Sequence, residues 1–130
     1  MQKGSAVHIF VYGTLMRGYD NQFAETLHTY AEFVSVASTG GLLYQVTHYP
    51  AAIFNGDKII HGEIFRIFDS TILESLDDYE GYYGANNPSN YYNRVEILID
   101  SPKGIFNCLT YEYAKPTLGL KLITDGRFKG

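Results

Sequence analysis

The chain has 130 residues, 45% of them hydrophobic and 18% charged, which suits one globular domain and excludes a disordered chain. Ten Lys+Arg against fourteen Asp+Glu leave a net charge of -4, without the basic footprint that a nucleic-acid binder needs. A single cysteine, Cys108, rules out an internal disulfide, and no apolar run approaches the roughly 18 residues of a membrane span.

Val7 to Tyr12 is a β-branched and aromatic run closed by Gly13, and reads as a strand buried on both faces. Gly13 to Asn21 reads as a structured loop. Phe23, Leu27 and Tyr30 follow at helical spacing, with Asn21 as the cap. Phe33 to Ala37 and Leu42 to Val46 flank Ser38-Thr39-Gly40-Gly41, which predicts a hairpin. Ala51 to Phe54 and Lys58 to Phe68 flank Asn55-Gly56, the pair suited to a type I′ turn, and predict a second. In the latter run Ile60, Gly62, Ile64 and Arg66 share one side, and His61, Glu63, Phe65 and Ile67 the other.

Asp69 to Tyr79 predicts a helix, with Thr71-Ile72-Leu73-Glu74 as a capping box and Gly81 as the stop. Gly81 to Asn90 is an irregular loop. Tyr91 to Asp100 and Ile105 to Tyr113 form a third hairpin around Ser101-Pro102-Lys103-Gly104. The tail from Lys115 to Gly130 has no clear pattern. Hairpins dominate and strict βαβ alternation is missing. The expectation is an α+β domain over residues 1–130, with its core at about 7–113 and a small, mixed or mainly antiparallel sheet curled like a barrel beside two or more short helices. Met1 to Ala6 lack the apolar core of a signal peptide, so a reducing, cytoplasmic home is expected.

One carboxylate sits in an odd place. On the second helix Ile72, Leu73, Leu76 and Tyr79 form an apolar stripe, and Glu80 falls inside it. Glu74 and Asp78 point to water, and Asp77 lies at the edge. An acid on an apolar face, at a helix C-terminus, has its pKa raised by burial and by the helix dipole. A Glu tuned toward neutrality suits general acid–base work. The plainer readings are a helix end turning into solvent, or an ion pair with Arg94 or Arg17. The turn Tyr12-Gly13-Thr14-Leu15 is the second feature, because successive main-chain N–H groups after a strand can cradle a carboxylate or an oxyanion. It lacks the pattern of a P-loop.

Taken together, these segments are similar to a known pattern. Tyr12-Gly13-Thr14-Leu15-Met16-Arg17-Gly18 resembles the Tyr-Gly-Thr/Ser-Leu signature of the γ-glutamyl cyclotransferase-like family. Tyr49-Pro50-Ala51, His61-Gly62-Glu63-Ile64-Phe65, Leu76-Asp77-Asp78-Tyr79-Glu80-Gly81-Tyr82 and Tyr92-Asn93-Arg94 resemble four further family pieces, in order, over residues 7 to about 113. The short chain and the Leu-Met-Arg-Gly continuation are most similar to the γ-glutamylamine cyclotransferase branch. The Asn-rich loop Tyr83 to Tyr91 departs from the family's compact link, on the leaving-group side.

The resemblance implies that the α-amine of a γ-glutamyl amide attacks its own γ-carbonyl, giving 5-oxoproline and a free amine. Glu80 would move the proton, and the Tyr12 to Leu15 N–H groups would hold the α-carboxylate or the oxyanion. No metal or organic cofactor is required, and the implied partner is a small-molecule γ-glutamyl substrate. A binding domain without activity, or an amide hydrolase releasing glutamate, are the alternatives. Tyr111 is the candidate hydrogen-bond partner of Glu80, since its strand would return beside Val7 to Tyr12.

The remaining polar residues are read as structural. His8, His28, His48 and His61 lack zinc spacing and read as surface or strand histidines. Cys108 reads as a small buried hydrophobe. Ser5, Ser38 and Ser89 lack a nucleophile-elbow context. Nothing in the sequence addresses oligomeric state.

Overall fold

The computed structural model describes residues 7–130, in the order β1 (Val7–Val11), α1 (Gln22–Tyr30), β2 (Ala31–Val46), β3 (Tyr49–Phe54), β4 (Lys58–Ile67), α2 (Ile72–Glu80), β5 (Tyr92–Ser101), β6 (Gly104–Tyr113) and β7 (Lys121–Leu122). The readings made for Met1 to Ala6, Ser5 included, lie outside the described residues.

β1 is central because its apolar side chains fill two cores at once. Ile9 and Val11 enter a cluster with Leu27, Phe65 and Leu76, beneath the two helices. Phe10 and Tyr12 enter a second cluster with Leu43, Ile60 and Ile64, inside the curl of the sheet. A strand covered on both faces reads as a continuous hydrophobic run, as this one does. β4 likewise feeds both cores, with Ile60 and Ile64 on one side and Phe65 and Ile67 on the other.

The sheet order is β3-β2-β4-β1-β6-β5, with β7 added to β2. β1 runs antiparallel to β4 (Ile9 opposite Phe65) and parallel to β6 (Ile9 opposite Leu109). The other pairings are antiparallel. The expected α+β class, with a mixed and mainly antiparallel sheet curled toward a barrel, is what the structure has. Two bonds link β3 to the β5–β6 hairpin. Tyr92 OH donates to Pro50 O at 2.5 Å, and Phe54 N donates to Glu112 Oε2 at 2.9 Å.

Neither of the first two predicted hairpins forms as expected. Ser38 to Gly41 continue one 16-residue strand, β2. Asn55-Gly56 does not pair β3 with β4. Both strands lie against β2, and their registers meet at Gly41, which faces Phe54 in one pairing and Lys58 in the other. The link crosses β2 there. A Cβ on Gly56 would sit 2.7 Å from the Gly41 carbonyl carbon and 2.9 Å from its Cα. These glycines therefore serve a crossing of main chains and not a turn. The tight turn falls instead between Val46 and Tyr49. The β5–β6 hairpin forms as predicted, from Tyr92↔Tyr113 to Ser101↔Gly104.

Asn21 caps α1 as expected, its Oδ1 accepting from Ala24 N at 2.8 Å. Tyr30, however, is 59% exposed and leaves the apolar stripe. The capping box on α2 is absent, because Thr71 Oγ1 donates to Asp69 Oδ1 instead. Gly81 does stop α2, in the left-handed conformation at φ 69°. The tail folds back: Ile123 N donates to Leu43 O, His61 N donates to Gly126 O, and Phe128 is buried in the inner core. Cys108 is also buried, its thiol pushed up to about 12 by desolvation. Among the described residues no helix is long and apolar enough to cross a membrane.

Candidate active site

A cleft of about 470 Å³ opens where β1 ends, within the size range of small-molecule sites. Tyr12, Gly13, Thr14, Leu15, Glu80 and Tyr111, six residues singled out from the sequence, all line it.

The turn after β1 is held from several sides. Asn21, besides capping α1, donates from Nδ2 to Thr14 O at 2.8 Å. His28 Nε2 donates to Leu15 O at 2.8 Å while its ring stacks on Phe65, so this histidine is a helix-borne support and not a surface or strand residue. Thr14 Oγ1 shares a hydrogen bond with Tyr79 OH, and Tyr79 stacks on Phe23 of α1. Gly13 has no left-handed φ; it is small because the Pro50 ring lies on it. Among the described residues, the N–H groups of Gly13, Thr14 and Leu15 donate to no protein acceptor. They are available to a bound negative charge.

Glu80, the last residue of α2, lines the same cleft. Among the described residues its carboxylate has neither a hydrogen-bond donor nor an ion-pair partner. Arg94 pairs instead with Asp77 (Nη1 to Oδ2, 2.7 Å), and Arg17 with Glu63 (Nε to Oε2, 3.3 Å). Desolvation, followed by the charge of Asp77, pushes the Glu80 carboxyl up to about 8. Burial of an unpaired acid favours its neutral form.

Tyr111 sits in the cleft, but its hydroxyl donates to Asp77 Oδ1 at 2.7 Å and not to Glu80. Asp77, placed at the edge of the helix by its periodicity, is in fact a half-buried hub. Tyr12 OH donates to Tyr111 O at 2.5 Å. Tyr12, Tyr92 and Tyr111 have their hydroxyl pKa values raised, chiefly by burial, with the Glu80 charge among the further causes. They remain protonated donors at any ordinary pH.

Tyr49, Pro50, Tyr79 and Tyr92 belong to the cleft and had not been singled out as site residues. Tyr79 carried a signal, since it shares the stripe with Glu80. Pro50 did not, because its role appears only once β3 lies on the Gly13 turn. Among the described residues no Lys, Arg or His lines the cleft. Among the described residues no group of His, Cys, Asp and Glu is arranged to hold a metal ion. A carboxyl that changes charge near neutral pH, beside free N–H donors, can move a proton and hold an anion.

Residues 9–130 match the family model described as gamma-glutamyl cyclotransferase, AIG2-like. The gamma-glutamylcyclotransferase family protein YtfP of Escherichia coli K12 is 32% identical over 123 residues, covering 92% of this chain and 94% of that protein. The gamma-glutamylaminecyclotransferase A of Danio rerio is 32% identical over 112 residues, covering 75% of this chain and 62% of that protein. The solution structure of E. coli ytfP superimposes with a TM-score of 0.67 at 33% identity, over 93% of this chain and 95% of that one.

Proposed function

The chain belongs to the gamma-glutamyl cyclotransferase, AIG2-like family, and from that membership and the cleft we propose that it converts a γ-glutamyl amide to 5-oxoproline and a free amine. The observation that carries the reading is the pairing of Glu80, unpartnered and pushed up to about 8, with the free N–H groups of Gly13, Thr14 and Leu15 in one cleft. In this reading ionised Glu80 takes a proton from the substrate α-ammonium. The freed amine attacks the γ-carbonyl carbon and forms a five-membered ring. The oxyanion or the α-carboxylate is held by the main-chain N–H groups, donors suited to negative charge. The C–N bond then breaks as the Glu80 proton passes to the leaving nitrogen, and the ring nitrogen releases its second proton to the ionised carboxylate. A carboxyl near 8 suits these transfers, because its affinity for the proton lies near the working pH. Both reactants share one molecule, so holding the substrate folded supplies much of the acceleration.

The tyrosine-rich lining of the cleft supports a narrower substrate class. A leaving group that carries a carboxylate finds no counter-ion among the described residues of the cleft, whereas a simple amine meets tyrosine rings and hydroxyls. We therefore expect γ-glutamyl alkylamides, which release a simple amine, to outrun glutathione and γ-glutamyl-ε-lysine, whose leaving groups both carry a carboxylate.

The test incubates the protein with these three compounds and follows 5-oxoproline by mass spectrometry. The expected result is 5-oxoproline from the amides, and none with Glu80→Gln while substrate still binds. Free glutamate in its place would make the protein a hydrolase. Binding without turnover would make it a binding domain. Full activity of Glu80→Gln would remove Glu80 from the mechanism.

A further inference from the structure

Asp77 is not among the residues that line the cleft, yet three polar contacts converge on it. Arg94 Nη1 donates to Oδ2 and Tyr111 OH to Oδ1, both at 2.7 Å. Its main-chain oxygen accepts from Tyr82 N at 2.9 Å, closing the C-terminus of α2. Arg94 lies over the Tyr82 ring at 5.3 Å, which fixes the guanidinium as well. Helix end and β5–β6 hairpin are thus joined through one side chain. Asp77 also stands one helical turn before Glu80, where i and i+3 side chains are neighbours.

We propose that Asp77 is the positioning residue of this site: clamped by Arg94 and Tyr111, it holds the last turn of α2 against the β5–β6 hairpin and fixes a negative charge one turn from Glu80. The inference rests on the reading of Glu80 as the proton-transfer group. A fixed like charge makes the second acid harder to ionise and therefore a stronger base once ionised. Arg94 works against this, because it neutralises part of the Asp77 charge while holding it in place.

The other groups facing Glu80 do not compete. Tyr12, Tyr49, Tyr92 and Tyr111 face it from the sheet, Tyr79 from α2, and Tyr83 and Tyr91 from the following loop. Of these, Tyr12, Tyr92 and Tyr111 have their hydroxyls pushed well up by burial and stay neutral. Asp78, the second carboxylate of the cleft lining, is exposed to water. From α1, His28 is engaged with Leu15 O.

The test is an NMR titration of the Glu80 side-chain carboxyl in the wild type, Asp77→Asn, Arg94→Gln and the double variant, beside the pH profile of kcat/KM for each. The Glu80 midpoint is expected to fall by about one pH unit in Asp77→Asn and to rise in Arg94→Gln. The double variant, which lacks both charges, is expected to lie between Asp77→Asn and the wild type, and the acid limb of each profile to follow its midpoint. A purely structural role lowers thermal stability without moving the two midpoints in opposite directions. Unmoved midpoints, or shifts of one sign, overturn the proposal. If Asp77→Asn does not fold, Arg94→Gln decides alone, and an unmoved or lowered midpoint overturns it. The titration needs no turnover, so moving midpoints beside an inactive protein would defeat the cyclotransferase reading and leave the electrostatic coupling standing.

Discussion

The ring of Pro50 lies directly on Gly13. A Cβ at residue 13 would come within 2.5 Å of Pro50 Cγ and 2.8 Å of Cδ. The carbonyl of Pro50 also receives the Tyr92 hydroxyl, so the contact ties the turn after β1 to β3 and β5. Gly13→Ala must displace either the ring or the turn. We expect it to lower stability by about 1–3 kcal/mol, the usual range for overpacking, and to reduce kcat/KM more than tenfold. Gly104→Ala is the control. Gly104 has φ 120° with open space around it at the far hairpin tip. It should lose about 1–2 kcal/mol to backbone strain and keep its activity. Equal activity losses in the two variants would show that general destabilisation is responsible.

Glu80 makes stability depend on pH in a direction opposite to that of most acids. Its usual value of 4.5 holds in the unfolded chain, and in the folded protein it is pushed up to about 8. Below the lower value both states are protonated and Glu80 has no effect. Between the two values the unfolded chain releases the proton and the folded protein keeps it, so stability falls as pH rises. Above the upper value the cost stays constant. Glu80→Gln removes this cost. Because water reaches the cleft, we expect its advantage at pH 8 to be about 2 kcal/mol, below the full linkage value, and close to zero at pH 4. Thermal melts of both proteins across that range check it, and parallel melting curves at all pH values would contradict it.

The crossing of β2 makes a prediction that a simple hairpin does not. At Gly41 an added Cβ would meet Ile53 O at 2.5 Å and Ile60 Cδ1 at 2.6 Å. At Gly56 it would meet Gly41 itself. Gly41→Ala and Gly56→Ala should each cost about 2 kcal/mol or more. Since both push apart the same two stretches of main chain, the double variant should cost less than the sum. Chemical denaturation measures all three.

What the sequence made legible follows from the range of each interaction. The Glu80 position could be read because helical period is local and an acid among Ile72, Leu76 and Tyr79 stands out. The Asn21 cap and the Gly81 stop are local too, and both are present. Gly40-Gly41 and Asn55-Gly56 misled for the same reason. Glycine marks both a turn and a close approach of distant backbone, and only the fold distinguishes them. Tyr111 was brought to the site by the expected return of its strand beside β1. Its partner proved to be Asp77, because hydrogen bonding depends on a position along α2 that periodicity fixes only to a sector.

The tail is the part no local pattern disclosed, and its Phe128 supports the site from behind. Phe128 is 4% exposed, stacks with Tyr19 at 5.9 Å between ring centroids, and reaches within 4.0 Å of where a Gly13 Cβ would lie. Its path is fixed by Gly126, at φ 68°, where an added Cβ would sit 1.7 Å from Ile59 O. Phe128→Ala opens a void beneath the loop that presents the free N–H groups. The expected cost is about 3 kcal/mol, at the lower end for a buried phenylalanine, because the tail can close part of the gap. Activity should fall through kcat more than through KM, since Phe128 is absent from the cleft lining and acts only by keeping Gly13 to Leu15 in place. Steady-state kinetics beside a denaturation curve separate the two effects, and an unchanged kcat in a destabilised variant would confine Phe128 to the core.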